Sequence, residues 1–161
     1  MSSIMEFLER DYMEEEVKVE ITNRSIKVPL HEGFTELSKG AEYYLPRWVA
    51  DLIVATNTGR IRDNTVSVEK LSEIVYNEES LIKKLQIIKL QGFFYLKVRN
   101  ILDELNNVLK NSMDVNLIEE YRRLEELYDS IGRIRIKKLM NFILLPTVAQ
   151  DVFDNMSEEE R

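Results

Sequence analysis

The hydrophobic and polar positions of this chain change their period along the sequence, and each change marks a different element. Residues 3–13 place apolar side chains such as Ile4, Phe7 and Leu8 at spacings of three and four, which predicts a short helix. Residues 16–30 alternate apolar and polar side chains around a central turn. This alternation predicts a β-hairpin, which must pack on other elements because an isolated hairpin is only marginally stable.

Helical periods dominate the rest of the chain. Two glycines first predict a loop over residues 31–45, with room for one further short strand. Pro46 then begins a helix over residues 46–56, because the first helical turn does not need the N–H that proline lacks. Further helices are predicted over residues 67–76, 79–110 and 115–142, followed by a short apolar segment with Val148, Val152 and Phe153.

The segment of residues 79–110 is the longest predicted helix and carries two apolar stripes. At a rise of about 1.5 Å per residue, it would be on the order of 45 Å long, which exceeds the needs of a domain of this size. Part of it is therefore expected to contact another chain. The candidate interface residues on this helix are Phe94, Val98, Ile101 and Leu105.

These elements predict a mostly α protein of the α+β class, in which a helical bundle follows a small N-terminal β-hairpin module. The predicted domains are residues 1–45, the strand module with its first helix, and residues 46–161, the helical domain. The length of 161 residues suits one domain with a small appendage. Five glycines and three prolines favour long helices over loops.

Composition narrows the function classes. The formal net charge of −7 argues against broad nonspecific binding to nucleic acid, because phosphate neutralisation needs Lys and Arg. With no cysteine, disulfides and thiolate metal sites are impossible. The acidic N-terminus does not match a signal peptide, and no apolar run approaches the roughly 20 residues that a bilayer requires, so a cytoplasmic protein without membrane contact is expected.

Catalytic signatures are weak. His31 is the single histidine, has no second His or Cys to share a metal, and is expected to be an ordinary loop residue. The carboxylates, including Glu78 and those of the final "SEEER", come in adjacent groups and are expected on solvated faces. The sequence therefore predicts no enzyme and no cofactor. The enzyme alternative would require a polar pocket that holds several buried carboxylates.

One basic segment stands out from the acidic background, since no acid occurs between Ser130 and Gln150. In one interpretation, its cations simply lie near the C-terminal end of a helix, where the helix dipole favours them. In the other, they contact an acidic partner chain or DNA phosphate, as in a small DNA-binding regulator that uses residues 133–138. The candidate interface cations are Arg133, Arg135 and Lys137.

The stretch "YYLPRWVADLI", residues 43–53, contains the only tryptophan of the chain. It is expected to join the strand module to the core of the helical domain, with Arg47 pointing outward to a partner chain. The predicted junction and core residues are Leu45, Pro46, Trp48, Val49 and Leu52.

Three features in this order resemble the GINS family, scaffold proteins of the replication fork in archaea and eukaryotes. They are the small β module, the "LPRWVADLI" helix start and the late helical segment "LEELYDSIGRIRIKKLMNFI". Family members carry a Pro-Leu-Trp-Leu-Ala-like segment at the first place and an Asp-x-x-x-x-Arg-x-x-Lys-like segment at the second. The first segment corresponds here to Pro46, Trp48 and Ala50, and the second to Asp129, Arg133 or Arg135, and Lys137 or Lys138.

The resemblance covers roughly residues 15–145, and the domain order resembles the class related to the eukaryotic second and third subunits. It implies a non-catalytic subunit of a hetero-tetramer, with two copies each of two subunits of opposite domain order. Such a scaffold binds and activates the MCM helicase together with a RecJ-like protein, and in some systems contacts primase or polymerase. It also implies indirect or weak DNA contact and a nucleoid-associated location at replication forks. Arg47 departs from the family, which has an apolar residue after the proline.

Overall fold

The computed structural model describes residues 2–30, 32–62, 66–84, 86–112, 114–145, 147 and 150–161, and the side chains from residue 4 onward. It confirms the α+β class, with a small strand module before a helical domain. The chain divides into two compact units, Met1–Asn64 and Thr65–Arg161. The predictions for His31 and Val148 are not addressed, because both residues lie outside the described ranges.

The first unit is built around one central strand. Its elements are α1 (Ser2–Glu14), β1 (Glu16–Ile21), β2 (Ile26–Leu30), β3 (Gly33–Leu37), β4 (Glu42–Pro46), α2 (Arg47–Ala55) and β5 (Gly59–Ile61). β1 lies in the middle of a three-stranded antiparallel sheet of order β4-β1-β5. β2 and β3 form a separate two-stranded antiparallel sheet.

The predicted hairpin over residues 16–30 has the correct strands but the wrong pairing. β1 pairs with β4 and β5, whereas β2 pairs with β3, with Leu30 opposite Gly33. An alternating pattern determines which side chains share a face of a strand, but it does not select the neighbouring strand. Residues 31–45, predicted as a loop with room for one strand, consequently supply two strands.

The core of the first unit combines inward-facing side chains of β1 with the apolar face of α2. Because α2 belongs to this core, the division between the units follows Asn64, and the structure differs from the predicted boundary after residue 45. The buried core residues are Val17, Val19, Ile21, Val28, Leu37, Leu45, Val49, Ala50 and Ile53.

Gly59 is required by a close backbone approach between β5 and β1. A Cβ atom at this position would lie 2.4 Å from the backbone oxygen of Glu20 and 2.8 Å from the Ile53 side chain. The sequence predicts Gly59 as the stop signal of the preceding helix. That helix ends at Ala55, however, and Gly59 is the first residue of β5.

The second unit is helical in its regular elements, which are α3 (Val68–Ser80), α4 (Phe94–Asn111), α5 (Val115–Ile143) and α6 (Gln150–Asn155). α3 and α4 both pack against α5. Asp114 caps α5, because its carboxylate accepts a hydrogen bond from the Asn116 N–H at 2.9 Å. The buried core residues are Leu71, Leu90, Phe94, Val98, Leu102, Leu124, Leu127 and Ile131.

The predicted continuous helix over residues 79–110 is wrong, since α3 and α4 are separate helices. Phe93, immediately before α4, has a φ of 52°, a left-handed conformation that a continuous α-helix does not contain. Ile87 and Leu90 are nevertheless buried in the irregular segment before it, so the apolar spacing persists without the helix. Neither α3 nor α4 is long enough to require a partner chain on grounds of length.

Candidate protein-interaction surface

The basic segment near the end of α5 is divided between two faces of the helix. Arg135 and Lys138 lie three residues apart on the inner face and are buried. Arg133 and Lys137 lie four residues apart on the outer face and are exposed. The structure thus contradicts the expectation that Arg135 contacts a partner or DNA, because its side chain is 0% exposed. Of the candidate interface cations, Arg133 and Lys137 are exposed to solvent.

Arg135 lies at the centre of a buried ionic network. Its Nη1 donates to Glu78 Oε1 at 2.8 Å and to the Ile88 carbonyl oxygen at 2.6 Å. Its Nε donates to Glu160 Oε1 at 2.7 Å, while Nη2 donates to the Asn155 carbonyl oxygen at 3.1 Å and to Glu160. One guanidinium therefore connects α3, the segment before α4 and the C-terminal end of the chain to α5.

Lys138 completes the network from the next turn of α5. Its Nζ donates to the Glu78 carbonyl oxygen at 2.6 Å and to the Glu78 carboxylate. The network then contains two cations, Arg135 and Lys138, and two carboxylates, Glu78 and Glu160. Equal numbers of opposite charges make the burial tolerable, because an unpaired buried charge costs several kcal/mol. The prediction that all carboxylates are solvated is therefore wrong for Glu78 and Glu160.

The C-terminal tail, defined as residues 157–161, is docked on the start of α4. This contradicts the prediction that its carboxylates are solvated. Three consecutive glutamates of the tail accept hydrogen bonds at the start of α4, where the helix dipole favours negative charge. The bonds are Phe93 N–H to Glu158 at 2.9 Å, Leu96 N–H to Glu159 at 3.1 Å, and the Tyr95 hydroxyl to Glu160 at 2.8 Å.

The surroundings of three groups, Glu160, Arg135 and Tyr95, shift their pKa values. Burial alone would raise the pKa of Glu160, but the hydrogen bond and charge of Arg135 lower it below its ordinary value. Burial would lower the pKa of the Arg135 guanidinium, but its bonds to Glu160 and Glu78 raise it. Burial, helped by the Glu160 carboxylate, raises the pKa of Tyr95. These groups stay fully charged, or neutral for Tyr95, at neutral pH.

The buried carboxylates that the enzyme alternative requires are thus present, but both are occupied by cations. Glu78 is held by Arg135 and Lys138, and Glu160 by Arg135. Within the described ranges, no group of three or more His, Cys, Asp or Glu residues could hold a metal ion.

The outer face of α5 presents a surface that combines the predicted cations Arg133 and Lys137 with apolar side chains that the sequence did not single out. We call it the α5 stripe, and its large apolar side chains are well exposed, 60% for Ile136, 62% for Met140 and 78% for Ile143. They line a shallow groove with cations at one end. Contiguous exposed apolar side chains beside charged ones are typical of protein-interaction sites. The α5 stripe consists of Arg133, Ile136, Lys137, Met140, Ile143 and Leu144.

The apolar residues predicted for a subunit interface are not part of the α5 stripe, and most of them lie in or against the core of the second unit. Phe94 and Val98 are 3% and 0% exposed in the core of the second unit, so neither is available to a partner. Leu105 packs against that same core, and Ile101 is partly buried. Helical spacing identified them correctly as one apolar face, but that face is covered by the chain's own α5.

The predicted junction residues belong to the first unit alone. Leu45 and Val49 are buried in its core, and Trp48 is partly buried against that core. Leu52 is 57% exposed, which contradicts its predicted role as a core anchor. Pro46 ends β4 and directly precedes α2, close to the predicted helix start.

Arg47 contradicts the expectation that it points outward. Its side chain is 8% exposed, and Nη2 donates to Glu15 Oε2 at 2.8 Å. The guanidinium also lies 4.3 Å from the centre of the Tyr12 ring, in a cation–π contact. Arg47 therefore ties the start of α2 to the end of α1, and the departure from an apolar residue at this position has a local structural role.

The chain matches no protein-family model and no curated protein sequence. Among the described residues, no helix has the length and apolar character needed to cross a membrane. The geometry itself defines a strand module and a helical unit whose exposed apolar surface on α5 is flanked by two cations.

Proposed function

We propose that this chain is a non-catalytic structural subunit of a GINS-type replication scaffold, and that it binds a second subunit through the α5 stripe. The observation that carries the proposal is the exposure of Ile136, Met140 and Ile143 along one helical face. Leaving these side chains in water is unfavourable by about 25 cal/mol per Å² of apolar surface, so a partner that covers them gains that free energy.

The motif residues supply a second line of support. The Arg-x-x-Lys spacing of the late family segment is met by Arg135 and Lys138, which both bind Glu78 in the buried network. In the earlier segment, Ala50 is fully buried and Trp48 packs on the same core. Both motifs would then serve to stabilise the fold, as expected for a family defined by a scaffold and not by catalysis.

In this proposal the partner is a GINS subunit of opposite domain order, and the complex is a hetero-tetramer of two copies of each. Through that complex the chain would act on the MCM helicase with a RecJ-like protein, and in some systems with primase or polymerase. Contact with DNA would be indirect or weak, in keeping with the net charge of −7.

The test is co-expression with the opposite-order subunit from the same genome, followed by the mass of the purified complex from light scattering. We expect a hetero-tetramer for the natural chain and its loss in Ile136→Glu/Met140→Glu. The matched control is Val115→Glu/Ile118→Glu, which places two glutamates at exposed apolar positions near the other end of α5. The control should assemble normally.

Two outcomes would contradict different parts of the proposal. A monodisperse monomer that binds no such subunit refutes the assignment to a GINS-type scaffold. A hetero-tetramer that forms equally well with the Ile136→Glu/Met140→Glu variant keeps the assignment but refutes the α5 stripe as its interface.

The DNA-binding alternative retains only two exposed cations of its segment, Arg133 and Lys137. With two phosphate contacts, the logarithm of the binding constant would fall with the logarithm of the salt concentration at a slope of only about −1.8. This alternative would be favoured if the isolated chain bound duplex DNA strongly and with a steep dependence on salt. The substitutions Arg133→Glu/Lys137→Glu should then abolish that binding.

A further inference from the structure

A second binding site in the helical unit is already occupied by the chain itself. The C-terminal tail lies on the first turn of α4 and on Arg135, and the Glu160 side chain is 7% exposed there. Glu158 and Glu159 accept from two N–H groups at the start of α4, whereas Glu160 accepts from the Tyr95 hydroxyl and from the buried Arg135 guanidinium.

The Arg135 guanidinium has a permanent side and an exchangeable side. Nη1 bonds to Glu78 and to the Ile88 carbonyl oxygen, both of which precede α4 in the chain. Nε and Nη2 bond to Glu160 of the tail, and Nη2 also bonds to the Asn155 carbonyl oxygen of α6, which is not part of the tail. Departure of the tail would therefore leave Nη1 paired while Glu160's bonds to the guanidinium are lost.

Charge balance shows what the emptied site would accept. With the tail docked, Arg135 and Lys138 are matched by Glu78 and Glu160. Without Glu160, the network has two cations and one carboxylate, next to the N-terminal end of the α4 dipole. An excess cation that is poorly solvated favours the binding of a carboxylate. The two carboxylate oxygens can accept hydrogen bonds from Nε and Nη2 of Arg135.

We propose that the first turn of α4 and Arg135 form a binding site for acidic peptide segments, and that the tail is its resident ligand, which keeps the site closed in cis. The ligand is a segment with three consecutive glutamates, of which the last bonds to Arg135 and the middle one to the Leu96 N–H. The inference stands apart from the GINS-type assignment, because it uses contacts within the helical unit only.

Tethering explains why the tail holds the site. Because the tail belongs to the same chain, its effective concentration at the site is high, so an acidic segment of a partner competes poorly while the tail is intact. A partner must either bind at an additional place or act on a chain whose tail is weakened or removed. The tail thus sets the threshold at which the site becomes available.

The experiment uses a chain that ends at Met156 and a labelled synthetic peptide with the sequence of residues 155–161, NMSEEER. Fluorescence anisotropy should show saturable binding to the shortened chain. Binding to the complete chain should be weaker by at least about tenfold, as expected from competition with a tethered ligand. A peptide with Glu160→Gln should also lose about tenfold or more in affinity, because Arg135 loses the charged carboxylate that accepts two of its hydrogen bonds.

The proposal is overturned if the shortened chain is folded but does not bind the peptide. A helical circular dichroism spectrum like that of the complete chain would show that it is folded. Equal binding of the Glu160→Gln peptide also overturns it, because recognition would then not involve Arg135.

If the shortened chain does not fold, the complete chain with Glu158→Gln/Glu159→Gln replaces it. This variant weakens the tail at α4 but keeps Glu160 on Arg135. It should bind the peptide more tightly than the natural chain, while the control Glu119→Gln/Glu120→Gln, an exposed adjacent pair on α5, should not. Peptide binding that does not differ between the variant and its control overturns the proposal.

Discussion

Substitution of Arg135 by methionine tests whether the buried network stabilises the helical unit. Methionine keeps a long unbranched side chain but removes the guanidinium and with it five hydrogen bonds to Glu78, Ile88, Asn155 and Glu160. Lys138 would then be the one cation left in the network, and it binds Glu78. Glu160 would lose its charged partner.

The magnitude follows from the cost of breaking a buried ion pair from one side. Summing about 1.5–3 kcal/mol for each bond to a charged group would overstate the effect, because the bonds are not additive and Arg135 itself is no longer desolvated. Removal of one partner from a buried pair costs about 3–5 kcal/mol. For a unit the size of Thr65–Arg161, at about 4–8 °C per kcal/mol, that corresponds to a fall in melting temperature on the order of 12–40 °C.

The assay is thermal unfolding of the complete chain, followed by far-ultraviolet circular dichroism, which reports mainly the helices α3–α5. Fluorescence of Trp48 serves as a separate probe, because the only tryptophan lies in the first unit. The matched control is Arg133→Met, which removes an exposed cation two residues away and should change stability by no more than about 0.5 kcal/mol.

A loss of less than about 1 kcal/mol in Arg135→Met would refute the reasoning, since it would mean that the guanidinium's own desolvation cancels its bonds. A double-mutant cycle with Glu160→Gln sharpens the result. The double variant should lose less stability than the sum of the single variants, because the two side chains interact directly.

Two further predictions concern backbone packing and pH. Gly59→Ala should destabilise the first unit by about 1–3 kcal/mol in urea unfolding, because its Cβ would meet the Glu20 backbone oxygen at 2.4 Å. Gly132→Ala, with no atom within 4 Å of the new Cβ, should stabilise α5 by about 0.5–1 kcal/mol, and equal effects of the two substitutions would refute the argument. The pKa of Glu160 is lowered in the folded chain, so its contribution to stability is complete above the ordinary carboxyl value of 4.5 and is lost as the pH falls through the lower folded value. Between pH 7 and pH 3, the melting temperature should therefore fall less steeply for Glu160→Gln than for the natural chain. The same dependence of melting temperature on pH in both chains would contradict a stabilising role of ionised Glu160.

Local patterns determined several elements of this protein from the sequence alone. The predicted helix over residues 115–142 corresponds to α5 at Val115–Ile143, because its apolar spacing and its cap at Asp114 are local. The predicted helix over residues 3–13 likewise corresponds to α1 at Ser2–Glu14. The alternation in β1 identified its inward face, which is buried as expected.

Only the tertiary structure decided how these elements combine. The partner strands of β1 lie about 20 to 40 residues away along the chain, and nothing in its own alternation selects them. The apolar spacing of residues 79–110 could not reveal the break before α4, because buried irregular backbone keeps the same apolar residues.

The charged residues show most clearly which features are local in sequence and which depend on the tertiary structure. Helical geometry already separates Arg133 from Arg135, since residues two apart on a helix point in different directions. Which of the two is buried depends on Glu78 and Glu160, which are 57 and 25 residues away in sequence. Long-range ion pairs of this kind leave no periodic signal in the sequence, so the buried network, the docked tail and the exposed α5 stripe were decided by the fold.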